Sequence, residues 1–72
     1  QARIIKRLEV QGDYVVKLIL TNKNGIPDLL VLKNGKAFFV EVKRPGEKPR
    51  PLQEYRMNEL RELGFICEVW KE

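Results

Sequence analysis

Asn34-Gly35 stands between two apolar runs, "PDLLVLK" and "KAFFVEVK", and few dipeptides commit a chain so firmly to one local geometry. A two-residue type I′ turn needs positive φ at both central positions. Asparagine and glycine tolerate that, and the turn's twist matches that of the strands it joins. With Asn34 and Gly35 as the loop, Lys33 faces Lys36, Leu30 faces Phe39, Leu29 faces Val40 and Asp28 faces Glu41. Directly opposed side chains share a face with Cβ atoms roughly 4.5–5.5 Å apart. Lys43, two residues beyond Glu41, lies on that face as well. Two carboxylates and an amine therefore gather at one end of the hairpin. The rest is apolar on both faces: Leu30, Leu32 and Phe39 on one, Leu29, Val31, Phe38, Val40 and Val42 on the other. Strands of that kind lie inside a sheet that is covered on both sides.

The remaining segments supply the cover. "ARIIKRLEVQG" has Ile4, Ile5 and Leu8 at helical spacing and closes on Gly12. "DYVVKLIL" reads as a strand. "RPGEKPRP" holds three of the four prolines and reads as a stiff basic loop. "PLQEYRMNELREL" is predicted to be a second helix with Pro51 in its first turn, Leu52, Tyr55, Leu60 and Leu63 as its apolar side and Gly64 after its end. "FICEVW" is a last strand. The expectation is a single α/β domain over residues 1–72, in α-β-β-β-α-β order, with Phe38 and Phe39 in the core.

At 72 residues the chain buries only about 60% of its unfolded surface, so its core is marginal. One cysteine permits no internal disulfide, and Cys67 in its apolar run is expected to be a small buried hydrophobe. The absence of histidine removes histidine-based triads, and with a single cysteine it removes structural zinc in practice. No apolar run is long enough to span a membrane and nothing resembles a signal peptide, so an intracellular protein is expected. The 14 basic and 10 acidic residues give a modest net charge of +4, but Lys33, Lys36, Lys43, Arg44, Lys48, Arg50 and Arg56 crowd the middle of the chain. A concentration of that kind fits either a polyanionic partner or a solvated surface.

Opposed like charges are destabilising, and something must neutralise Asp28 and Glu41. Lys43 can do so in part, as a charge cluster that holds register. A divalent cation can do so more fully. With oxygen ligands only, that cation would be Mg²⁺ or Mn²⁺. A metal beside a lysine and a basic loop suits phosphodiester cleavage, with Lys43 orienting or deprotonating water or holding a phosphate oxygen, and the loop holding the nucleic-acid backbone.

Pro27-Asp28 followed by Glu41-Val42-Lys43 resembles the PD-(D/E)xK nucleases, and the longer string "NGIPDLLVLKNGKAFFVEVKRPGEKPRPLQ" resembles their VRR-NUC family, in particular its small stand-alone phage and bacterial members. The resemblance extends over nearly the whole chain. It implies a restriction-endonuclease-like core with a mixed sheet flanked by helices, and metal-dependent endonucleolytic cleavage of DNA, often selected by structure. It implies Asp28, Glu41 and the main-chain carbonyl of Val42 as metal ligands and Lys43 as the catalytic lysine. It places Gln53 near the site and Gly25 in the turn presenting Pro27-Asp28. It also implies a homodimer acting on branched DNA such as four-way junctions. On that reading the basic cluster, Lys33, Lys36, Arg44, Lys48, Arg50 and Arg56, is the expected DNA-contacting set. The family usually carries a further glutamate in its first helix. Here Gln1 stands at or just before that helix and Glu9, its one acid, lies towards the other end. Tyr14, Tyr55 and Trp70 are expected in the core or a dimer interface, and the last strand, with Ile66, Val69 and Trp70, is expected to meet a second copy. A nuclease fold that only binds DNA, and a structural domain whose charge cluster fixes register, are the competing readings.

Overall fold

A computed structural model describes residues 1–72. Its elements follow the expected order: α1 (Ala2–Val10), β1 (Tyr14–Lys17), β2 (Leu29–Lys33), β3 (Lys36–Lys43), α2 (Pro51–Glu62) and β4 (Ile66–Lys71). The four strands form one sheet in the order β1-β2-β3-β4, antiparallel across β1, β2 and β3 and parallel between β3 and β4. Asn34 (φ 51°) and Gly35 (φ 75°) form the turn, and the β2–β3 register runs from Lys33↔Lys36 to Leu29↔Val40 as the dipeptide requires.

The alternation along these strands sorts the core into two faces. Leu29, Val31 and Val40 are wholly buried on one, beneath Ile4 and Leu8 of α1, with Ile5, Val15, Phe38, Val42 and Trp70 packed around them. Leu30, Phe39, Glu41, Lys43 and Cys67 fall on the other by register. That face meets α2, whose Met57 is buried and whose Arg61 donates to the Cys67 carbonyl at 2.8 Å. Phe65 stands edge-on to Phe39, 6.0 Å between centroids. Cys67 is a buried hydrophobe as expected, and burial pushes its thiol pKa up.

Two expectations are corrected. The first strand is shorter than "DYVVKLIL". In its register Leu18 still donates to the Asp28 carbonyl at 2.8 Å, but β2 begins only at Leu29 and offers no strand partner beyond it. The chain leaves the sheet there, with Ile19 and Leu20 exposed. The inner side of α2 is also not the apolar side read from the sequence. Leu52, Tyr55 and Leu63 are exposed, while Gln53, Arg56, Met57 and Leu60 are buried or half-buried. Of the aromatics expected in the core or a dimer interface, Trp70 packs inward, 6.2 Å from Phe38, and Tyr14 and Tyr55 lie at the surface of the single chain.

Candidate functional site

The β2–β3 ladder ends at Leu29↔Val40, and the site begins where it ends. The next position that would exchange main-chain bonds is Val42 opposite Pro27. Asp28 takes the place of the Pro27 carbonyl there: its Oδ2 accepts the Val42 N–H at 2.9 Å. Proline offers no amide in return, so the Val42 carbonyl lacks the N–H that the register would supply. A fixed acidic side chain and a main-chain oxygen without a proline N–H to pair with thus meet where the ladder reaches Pro27, itself almost wholly buried.

Glu41 is the most unusual group in the chain, a carboxylate with 1% of its surface exposed. Lys43 Nζ lies 3.2 Å from its Oε2, but without the alignment of a hydrogen bond, and Oε1 has no partner at all. Burial pushes the Glu41 pKa up and the Asp28 charge adds to that. Lys43 pulls the other way without cancelling them. Buried carboxylate oxygens without donors are costly, and a hard cation would satisfy them. Asp28, Glu41 and the Val42 carbonyl are all oxygen donors, the set Mg²⁺ or Mn²⁺ takes. No cluster of three His, Cys, Asp or Glu side chains accompanies them, so a main-chain oxygen and water would have to complete the shell.

Gln53 opens α2, and its Oε1 accepts the Arg50 N–H at 2.8 Å, which ties the helix start. It nevertheless lines the same open cleft as Asp28, about 270 Å³ between α2 and residues 18–28. Val42, Lys43 and Arg44 line a second cleft of about 490 Å³ with Gln1, Glu47 and Glu72. The largest concavity, about 730 Å³ along Glu9–Lys17, holds none of these residues. Glu9 is exposed at the opposite end of α1 from Gln1.

The basic residues divide. Arg44, Lys48 and Arg50 lie on the loop between β3 and α2, beside the charged end of β3. Lys33 and Lys36 flank the hairpin turn, seven residues from Lys43 along β3 and so roughly 23 Å away at about 3.3 Å per residue. Lys33 is paired with the buried Asp13 at 3.6 Å. Arg56 has its guanidinium engaged: Nε donates to the Asn24 carbonyl and Nη1 to Glu59, each at 2.8 Å.

Two residues at the site end escaped sequence reasoning. Lys71 is the β4 neighbour of Lys43 and donates to the Glu47 carbonyl. Glu72 donates its N–H to the Lys43 carbonyl, and its carboxylate accepts the Arg3 and Ile4 N–H groups at the start of α1. Only the parallel β3–β4 pairing brings them there, and that pairing leaves no mark on local sequence.

A mixed four-stranded sheet with one helix on each face, and acidic and basic groups at the ends of its parallel strands, defines a restriction-endonuclease-like α/β core. Residues 2–71 match the model of the VRR-NUC domain, and a solved structure described as "VRR_NUC domain" superposes with a TM-score of 0.83 and 36% identity, covering 99% of this chain and 83% of that one. The chain belongs to the VRR-NUC family. It is also 41% identical over 54 residues to "Putative nuclease p44" of Acyrthosiphon pisum secondary endosymbiont phage 1, a match that takes in 74% of this chain and 58% of that relative's length. This chain therefore matches little more than half of that longer protein. No helix is long and apolar enough to cross a membrane.

Proposed function

We propose that residues 1–72 act as one metal-dependent, structure-selective DNA endonuclease domain, working inside the cell on branched DNA such as four-way junctions. The observation that carries this reading is the buried Glu41 carboxylate, with Oε1 unpartnered, Lys43 at 3.2 Å and the Asp28 charge beside it. Asp28, Glu41 and the Val42 carbonyl would hold Mg²⁺ or Mn²⁺. That ion supplies charge stabilisation at the scissile phosphate and acidifies a water molecule. Lys43 is held against Glu41, so its ammonium is pre-oriented to hold a phosphate oxygen or the attacking water. Gln53, already fixed by its bond to Arg50, would offer its amide N–H groups to the same cleft. Arg44, Lys48 and Arg50 would grip the DNA backbone next to the scissile bond, positioning rather than reading sequence. Lys33 and Lys36 would touch phosphates only on DNA that reaches along the sheet.

The test is cleavage of a labelled four-way junction and a matched linear duplex with Mg²⁺, Mn²⁺ or EDTA. Cutting that requires metal and favours the junction is expected. Tight junction binding with no cutting under any metal would move the assignment to a DNA-binding module.

A homodimer belongs to the same proposal, since two symmetry-related sites suit two strands of a junction. The chain exposes 5332 Å², against about 4,700 Å² for a monomer of its mass. The difference approaches the roughly 800 Å² that each partner gives to an ordinary interface. Leu63, Phe65 and Ile66 are exposed at the start of edge strand β4, while Val69 is half-buried and Trp70 turns inward. Sedimentation is expected to give twice the 8.5 kDa chain mass, and Ile66→Lys to halve it. A wild-type chain that sediments at its own mass at micromolar concentration removes the dimer.

A further inference from the structure

We propose that Arg56 is a positioning residue for the acidic end of the site, which it serves by tying the segment that carries Asp28 to helix α2; this rests on the metal-dependent reading above. The segment Asn24–Asp28 belongs to no helix or strand, yet four of its five residues are held in place. Arg56 Nε takes the Asn24 carbonyl at 2.8 Å. Gly25 follows with φ +80°, so close to α2 that a Cβ would lie 2.7 Å from Leu52 Cγ and 3.1 Å from the Leu52 carbonyl oxygen. Pro27 is buried, and the Asp28 carbonyl takes Leu18 N–H at 2.8 Å.

Arg56 suits this task and is poorly placed for DNA. Its side chain is 20% exposed, Nη1 is engaged by Glu59 at 2.8 Å, and the guanidinium lies 5.5 Å from the Tyr55 ring centroid. The planar fork bonds in two fixed directions at once, which a lysine ammonium cannot reproduce. Arg56 and Gln53 are one turn apart on the inner side of α2. The helix therefore presents Gln53 to the cleft and, through Arg56 and Leu52, carries the opposite wall containing Asp28. Residues that orient metal ligands typically alter metal affinity about 10–100-fold when removed.

The experiment measures Mn²⁺ affinity by the paramagnetic resonance signal of free Mn²⁺, at a temperature where circular dichroism shows each variant folded. Arg56→Met is expected to raise the Mn²⁺ Kd by about 10–100-fold, and Arg56→Lys, which restores charge without the fork, to remain several-fold weak. Glu59→Gln neutralises the other partner of Arg56 while keeping an oxygen acceptor for Nη1, and is expected to stay within about twofold of wild type because the tie to Asn24 is untouched. A folded Arg56→Met or Arg56→Lys with wild-type Mn²⁺ affinity overturns the assignment, as does a Glu59→Gln defect equal to theirs. A wild-type protein that binds no Mn²⁺ overturns the metal-dependent reading itself and this inference with it.

Discussion

Lys43→Met is expected to lose cleavage by about 10²–10⁴-fold while it keeps, or tightens, its hold on Mn²⁺. The reason lies in the Glu41 carboxylate, whose only cationic neighbour is Lys43, 3.2 Å from Oε2. An incoming divalent ion and the Lys43 ammonium compete for that group, so removing the ammonium removes a competitor. Methionine keeps the buried stem of a side chain that is 13% exposed, which isolates the charge from the packing. The metal-free variant leaves the Glu41 charge unbalanced. Breaking a buried pair in that way costs up to about 3–5 kcal/mol when the survivor stays ionised, and less once it takes up a proton. Metal-free Lys43→Met is thus expected to fall below wild type in stability by a margin that grows as pH rises from 4.5 to 8. Thermal melts at both values, with Mn²⁺ titrations and junction cleavage, check this. Equal losses of cleavage and Mn²⁺ affinity would make Lys43 a structural partner of Glu41 rather than a catalytic group.

The central hairpin was legible because its information is local. Asn34-Gly35 dictated the register, the register placed Asp28, Glu41 and Lys43 together, and β3 spans Lys36–Lys43 as read. What failed was the assumption that apolar means inward. The side of α2 that faces the sheet carries Gln53 and Arg56 beside Met57 and Leu60, and a helix that spends inner positions on polar residues loses the periodic signal that reveals its orientation. The same substitution of chemistry for packing made Arg56 look like a free surface cation. β1 ends where β2 runs out of partners, and that shows only once β1 and β2 are paired. Lys71 and Glu72 reach the site through a crossover connection, and no local pattern announces which residues a parallel strand will meet.

The same proline-ended ladder yields the second large effect. Asp28→Asn is expected to abolish metal-dependent cleavage, at least ~10²-fold, and yet to make the metal-free protein more stable. The asparagine side-chain oxygen can still accept the Val42 N–H that Asp28 Oδ2 takes at 2.9 Å, so the support for β3 survives. What disappears is a negative charge beside a buried carboxylate, worth about 1 kcal/mol for directly opposed like charges. That is a Tm rise of roughly 4–8 °C in a domain of this size. The pH dependence gives the mechanism a signature. Glu41 has its folded pKa raised above the ordinary 4.5, first by burial and then by Asp28. Between those two values the folded chain holds a proton that the unfolded chain has released, so stability falls as pH climbs through that window. Without the Asp28 charge the folded value moves back towards 4.5 and the fall becomes shallower. The gain from Asp28→Asn should therefore be small below pH 4.5, grow as pH rises and level off above the wild-type folded pKa. Saturating Mn²⁺ reverses the order: it is expected to raise the Tm of the wild type and leave Asp28→Asn nearly unmoved. A wild-type Tm indifferent to Mn²⁺ and to EDTA, with Asp28→Asn no more stable than wild type at pH 8, would leave the charges at the end of the hairpin with the single task of holding strand register.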